Sequence, residues 1–182
     1  MNAAGVALLD EVLPEYDVAA RHTRHIAAPA EWVAQAVDIV RPGPAASFLY
    51  RVRGIRVPRG SFRDMLVNLG FTILAERNET DFVAGTIGQF WALREAAHIE
   101  RPRDLEAFRA FDRPGWAKGA VSLRIDPLDA ESTRLVTETR VQTLGRTARR
   151  RFGMYWFFVR PFSGWLRRDF LRRVARVAEG ES

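Results

Sequence analysis

The chain has 182 residues, 47% of them hydrophobic, enough for one substantial core and close to the usual size of a single domain. It contains no cysteine, which excludes disulfides, thiolate metal sites and cysteine nucleophiles. Its net charge of +6 comes almost wholly from arginine, Lys118 being the only lysine, and outside the C-terminal segment the arginines are spread along the chain, which argues against a nucleic-acid interface.

Residues 1–13 lack the basic and apolar regions of a secretory signal, so no export is expected and the reading is a cytoplasmic protein. They and residues 179–182 read as loose ends of a single domain. The most apolar run, 154–166, is broken by Arg160 and Pro161 and is shorter than the ~20 residues a membrane-spanning helix needs.

Residues 16–27 alternate weakly and read as a first strand, ending where Pro29 opens a helix over 29–40. Trp32, Val33, Ala36, Val37 and Val40 recur at three- and four-residue steps and give that helix one apolar face. The run Arg41-Pro42-Gly43-Pro44 stops it. Two short helices, 45–52 and 61–69, complete a cluster after the first strand; Ser61 caps the second and Gly70 terminates it.

From Phe71 the period becomes two-fold. Phe71, Ile73 and Ala75 alternate with polar or flanking residues, a turn at 78–81 follows, and Val83, Gly85 and Ile87 form the return strand. A third strand is expected over 89–94, carrying Phe90 and Trp91. Alternation lapses over 95–114, where Asp104 caps a short helix bearing Leu105, Phe108 and Phe111, a candidate flap over a cavity.

Residues 119–125 and 134–142 form the last hairpin. Pairing Ile125 with Leu135, Leu123 with Thr137, Val121 with Thr139 and Gly119 with Val141 gives one mainly apolar face, whereas a one-residue slip opposes Val121 to Glu138. The other face then carries Lys118, Ser122, Arg124, Glu138, Arg140 and Gln142, and is expected to meet solvent.

A long helix over 146–178 closes the chain. Phe152, Trp156, Val159, Leu166, Phe170, Val174 and Val177 make its inward stripe, and Pro161 with Gly164 is expected to kink or split it. Phe157, Phe158, Phe162 and Trp165 fall off the stripe and call for a second partner, for which the early helix cluster is the obvious choice.

This order of elements, with residues 16–27 running into Pro29-Ala30-Glu31-Trp32-Val33, the strand 120–128, and the strand 132–141 feeding the last helix, resembles the START-like superfamily, also called the polyketide cyclase, birch-pollen-allergen-like (SRPBCC) or helix-grip group. The likeness extends over about 16–178. It implies an α+β fold with a strongly curved antiparallel sheet wrapped round the C-terminal helix and a cavity between them. In many members that cavity holds lipids, sterols or polyketides; some relatives are cyclases or aromatases, and others only carry or sense a ligand. No residue set in this chain matches a catalytic motif of such a subfamily.

Trp91, Phe108, Phe111, Trp116 and Trp156 are the candidate ligand-binding residues, because aromatic walls with a few polar groups suit an apolar ligand. Taken singly, each is better accounted for as a core aromatic. Gly85 and Gly119, placed on the inner face, would leave room for a void. Glu138 and Arg140 share a strand face and are candidates for an acid/base and an anion clamp, although the register turns that face away from the helix. His98 stands alone as a candidate general base, and His22 and His25, three apart on a strand, point to opposite faces and cannot share a metal. No metal site, cofactor or nucleotide loop is expected.

The leading expectation is therefore the binding or carriage of a small hydrophobic or amphipathic ligand, lipid or polyketide-like, with no chemistry on it. The alternatives are a cyclase or aromatase acting in the same cavity, and a peripheral membrane or protein-interaction module using the aromatic, arginine-flanked segment 155–165.

Overall fold

The computed structural model describes residues 7–41, 43, 60–78, 80–92 and 98–180. The helix expected over 45–52 lies outside them. The described elements, in order, are α1 (Leu8–Val12), β1 (Val18–Ile26), α2 (Ala30–Ile39), α3 (Phe62–Asn68), β2 (Thr72–Asn78), β3 (Asp81–Gly88), β4 (Ile99–Glu100), α4 (Leu105–Ala110), β5 (Ala117–Pro127), β6 (Thr133–Thr143) and α5 (Arg146–Ala178).

The strands form one antiparallel sheet in the order β1-β6-β5-β3-β2, with the two-residue β4 also paired to β3. Together with the C-terminal helix it makes the α+β helix-grip arrangement. The β5–β6 register is the one that unites the apolar side chains: Ile125 opposes Leu135, Leu123 opposes Thr137, Val121 opposes Thr139 and Gly119 opposes Val141. Such pairing is strongly specified wherever one face is buried, because a one-residue slip would turn every side chain over.

On one face of the sheet, the front, lie α2, α3 and α5. Phe82, Ala84, Val121, Leu123, Ile125 and Leu135 meet Val33, Ala36 and Val37 of α2, Phe62 and Leu66 of α3, and Leu171, Val174, Ala175 and Ala178 of α5. Helix α3 begins with a reciprocal capping box. The Ser61 hydroxyl accepts from the Asp64 N–H at 3.1 Å, and the Asp64 carboxylate accepts from the Ser61 N–H at 3.0 Å. The expected face of α2 is corrected at one position, since Trp32 is 58% exposed.

The back of the sheet is covered as well. Leu8, Leu9, Val12 and Leu13 of the α1 segment and Phe108 of α4 pack on Leu74, Val83, Ile87 and Ala120. Residues 7–13 are thus part of the core rather than a loose end. Glu179 is also fixed, its carboxylate accepting from the Ala27 N–H at 2.9 Å.

Three further expectations change. Residues 89–92 form a turn and not a strand; the Ala92 N–H donates to the Gln89 carbonyl at 2.9 Å. Helix α5 runs unbroken through Pro161. Both Phe157 and Pro161 are exposed, so the hydrogen bond that Pro161 removes from the helix is lost on its outer side and not in the core. The helix cluster packs on Phe170, Leu171, Val174, Ala175 and Ala178 and leaves Phe157, Phe158, Phe162 and Trp165 exposed.

Asp17 ties the start of β1 to the end of β6 and the start of α5. Its carboxylate accepts from the Thr143 N–H at 2.8 Å and hydroxyl at 2.5 Å, and pairs with Arg149 at 2.6 Å. Partial burial works to raise its pKa, but the Thr143 hydrogen bonds and the Arg149 charge outweigh burial and hold the carboxyl below its usual value.

Candidate functional site

Between the front of the sheet, α3 and the C-terminal half of α5 lies a cavity of about 230 Å³. That is the liquid volume of roughly eight waters. Most of its wall is apolar: Phe62, Met65, Leu66 and Leu69 from α3 and its end, Phe71, Val121 from β5, and Leu166 and Phe170 from α5. Phe62 and Phe170 stack at 4.8 Å with their planes 26° apart. The amphipathic pattern of α3 sets this wall, since its buried residues Phe62 and Leu66 are one helical turn apart.

The polar part of the wall comprises Arg41, Ser61, Thr137, Ser163, Arg167, Asp169 and Arg173. Thr137, 1% exposed, sits among apolar neighbours on β6 and accepts at 3.4 Å from Nη1 of Arg167, which reaches inward from α5. Asp169 and Arg173 also line the cavity but bind each other at 2.7 Å, and Gly43 admits the Arg173 guanidinium, which a Cβ there would meet at 2.5 Å. Beyond Thr137 the same sheet face carries His22 and Thr139. The His22 Nε2 and Thr139 Oγ1 atoms are buried with no hydrogen-bond partner. Burial, then the charges of Arg167 and Arg168, push the His22 pKa down, so its imidazole is neutral at neutral pH.

None of the five aromatics singled out from the sequence lines this cavity, and the sheet divides them. Trp91 and Trp156 lie on the front, packed edge-on and stacked against Phe152 at 6.4 and 5.9 Å. Phe108, Phe111 and Trp116 lie on the back with the α1 residues, so α4 covers the rear of the sheet and is not a flap over the sheet–helix cavity. The two glycines are divided in the same way, and neither opens a void. Gly85 faces the back, where it makes room for Leu74 and Phe108; Gly119 faces the front and admits the Phe90 ring, 3.2 Å from where a Cβ would stand.

The polar candidates are not brought together with the cavity either. Glu138 and Arg140 point to the back, as the register requires, yet they meet α1 instead of solvent. Arg140 donates to Glu138 at 2.8 Å and Asp10 at 2.6 Å, to the Leu13 and Leu9 carbonyls at 3.2 and 3.4 Å, and lies 4.5 Å above the Tyr16 ring. Burial works against its charge, but Glu138 and Asp10 more than offset that and raise its pKa. Lys118 is buried on the same face, its Nζ 5.8 Å from the Phe108 ring centre and donating to the Arg109 carbonyl, and burial lowers its pKa. His98 is exposed beside Trp116 at 6.1 Å. His22 and His25 take opposite faces, and among the described residues no group of His, Asp or Glu is placed to hold a metal ion.

The cavity residues that matter most here, Thr137 and Arg167, had a sequence signal. The hairpin register already set Thr137 opposite Leu123 on the apolar face. Arg167 stands three and seven residues before Phe170 and Val174 of the inward stripe, which places a charge at that stripe's edge.

No family model matches the chain, and no curated protein matches it. Solved structures match over nearly its whole length at low superposition scores. A conserved protein from Geobacillus kaustophilus is 11% identical, with 89% of this chain and 96% of that one covered and a TM-score of 0.36. The Zhui aromatase/cyclase from a Streptomyces species is 19% identical, with 88% and 95% covered and a TM-score of 0.32. A Thermus thermophilus protein is 10% identical, with 90% and 96% covered and a TM-score of 0.29.

Proposed function

We propose that this protein is a START-like carrier that binds a small hydrophobic or amphipathic ligand, lipid or polyketide-like, in the cavity between sheet and C-terminal helix, and does no chemistry on it. The observation that carries this reading is a mainly apolar cavity wall that also holds an inward hydrogen-bonded pair, Thr137 and Arg167. An apolar wall supplies affinity, and a few fixed polar groups supply orientation. The residues offered as catalytic, Glu138, Arg140 and His98, do not line the cavity, which favours the carrier reading over a cyclase that uses them.

The test is native mass spectrometry of the purified protein, with solvent extraction and titration of an anionic apolar fluorophore, 8-anilinonaphthalene-1-sulfonate. Met65→Trp fills the chamber and is expected to abolish both co-purified mass and fluorophore binding in a protein that still unfolds cooperatively. Arg167→Met removes a charge-assisted hydrogen bond and is expected to weaken fluorophore binding by about ten- to a hundredfold. Equal binding by wild type and the Met65→Trp variant would overturn the reading.

A further inference from the structure

Among the described residues, the outer side of α5 gathers five exposed large apolar side chains. Met154, Phe157, Phe158, Phe162 and Trp165 are 67%, 76%, 75%, 44% and 38% exposed. Monomeric proteins rarely present so contiguous an apolar patch without a use for it. Arginines bracket it: Arg150 and Arg151 on the N-terminal side, Arg168, Arg172 and Arg176 on the C-terminal side, all exposed. The helix carries ten arginines and one carboxylate, Asp169, which is taken up by Arg173 and Arg172. Among the described residues no carboxylate pairs with Arg150, Arg151, Arg160, Arg168 or Arg176.

Beside this patch an open groove of about 820 Å³ runs between the β1 edge and α5. Arg21, Arg160 and Arg168 line it together with Trp156 and Phe157, and no carboxylate does. Aromatic side chains therefore stand next to a concave site whose charged side chains are all cationic.

Charge decides which partner fits. A second copy laid antiparallel on this face sets Arg150 and Arg151 against the partner's own Arg168 and Arg172 positions, and a parallel copy sets like against like. Neither arrangement has a carboxylate to offset the repulsion. A nucleic acid would satisfy the arginines, but Arg151 and Arg168 are seventeen positions apart, about 25 Å of helix, and the exposed side chains between them are mainly Met154, Phe157, Phe158, Phe162 and Trp165, with Arg160 the one charge among them, so most of that face gains nothing from a phosphate backbone. An anionic bilayer satisfies both parts at once, with aromatics at the acyl boundary and arginines at the phosphates. Among the described residues no helix is long and apolar enough to cross a membrane, so the contact is interfacial.

We infer that the outer face of α5 docks flat on an anionic phospholipid membrane, with Phe157, Phe158 and Phe162 inserted and the groove arginines on headgroup phosphates. This inference does not depend on the cavity holding a ligand.

The experiment is flotation of the full chain with phosphatidylcholine vesicles, with and without phosphatidylglycerol, at low and physiological salt. Wild type is expected to float with the phosphatidylglycerol vesicles and not with phosphatidylcholine alone. Phe157→Ser with Phe158→Ser, at positions so exposed that the fold is indifferent to them, is expected to lower partition by tenfold or more. Replacing Arg150, Arg151 and Arg168 by glutamine is expected to lower it about fivefold per residue, roughly a hundredfold together. Partition of both variants equal to wild type, absence of flotation at low salt, a dimer abolished by the phenylalanine substitutions, or tight binding of an RNA or DNA oligonucleotide without vesicle binding would each overturn the inference.

Discussion

Replacing Arg140 by methionine tests whether the back of the sheet is a sealed layer or merely a wetted surface. The guanidinium binds Glu138 at 2.8 Å, Asp10 at 2.6 Å and two carbonyls of the α1 segment, with only 9% of its side chain exposed. Methionine keeps much of the volume and none of the donors. Glu138, 14% exposed, then loses its cationic partner beneath α1. Breaking a buried ion pair on one side costs about 3–5 kcal/mol. The Asp10 contact adds little, because that carboxylate is half exposed and solvent screens it. Allowing for partial exposure of Glu138, we expect a loss of about 2–4 kcal/mol.

Urea denaturation of the full chain measures this directly. Hydrogen exchange should locate the loss at residues 8–13, whose attachment to the sheet the arginine shares with the packing of Leu8, Leu9, Val12 and Leu13. A double variant, Glu138→Leu with Arg140→Met, should recover part of the stability, because apolar groups replace a buried pair more cheaply than an unpaired charge persists. A loss below about 1 kcal/mol, the range of an exposed ion pair, would refute the reasoning. So would a double variant as unstable as the sum of its parts.

Two other perturbations probe the interior. Gly85→Ala should cost about 1–3 kcal/mol, since the new methyl group meets Leu74 and stands 3.1 Å from the Phe108 ring. Adding Leu74→Ala should recover part of this in thermal unfolding, and simple additivity would show that the clash is not the cause. His22 has a folded-state pKa below its unfolded value of about 6.5, so the folded state binds fewer protons in the interval between the two. Stability should therefore be full above about pH 6.5 and fall as pH drops through that interval. His22→Gln should remove this component, and parallel pH profiles for the two proteins would count against it.

How much of this was legible depended on whether a residue's face could be deduced locally. The β5–β6 register, the Ser61 cap and the opposite facing of His22 and His25 follow from period and spacing, and the structure has them. The covered back face was missed because Lys118, Glu138 and Arg140 read as solvent-facing, although arginine and lysine can bury their stems and pair their heads. A signal did exist in β3, whose run from Phe82 to Gly88 carries no charge and is buried at every position. An uninterrupted apolar strand means cover on both sides. The splitting of the five aromatics had no such signal, because the spacing within 105–111 gives a helical stripe and says nothing of which side of the sheet the chain crosses to.

The cavity itself follows from a matched interruption in two elements that pack together. Along α5 the inward positions are large and apolar near the start, at Phe152 and Trp156, and again from Phe170 to Val174. Between them Val159 and Leu166 are interspersed with Ser163, Gly164 and Arg167, two small residues and a charge. Across from this stretch the sheet presents Thr137 and His22 and then Thr139, with Leu135 and Val141 at the levels beyond; Thr137, Ser163 and Arg167 line the cavity, while His22 and Gly164 line the groove beside it. Either interruption alone would be filled by the facing side chains, as close packing demands. Because both fall at neighbouring levels, an open cavity remains on the front of the sheet beside the packed core. The same stretch of helix turns Phe158, Phe162 and Trp165 outward, so the segment that leaves space inside is the one that presents aromatics outside.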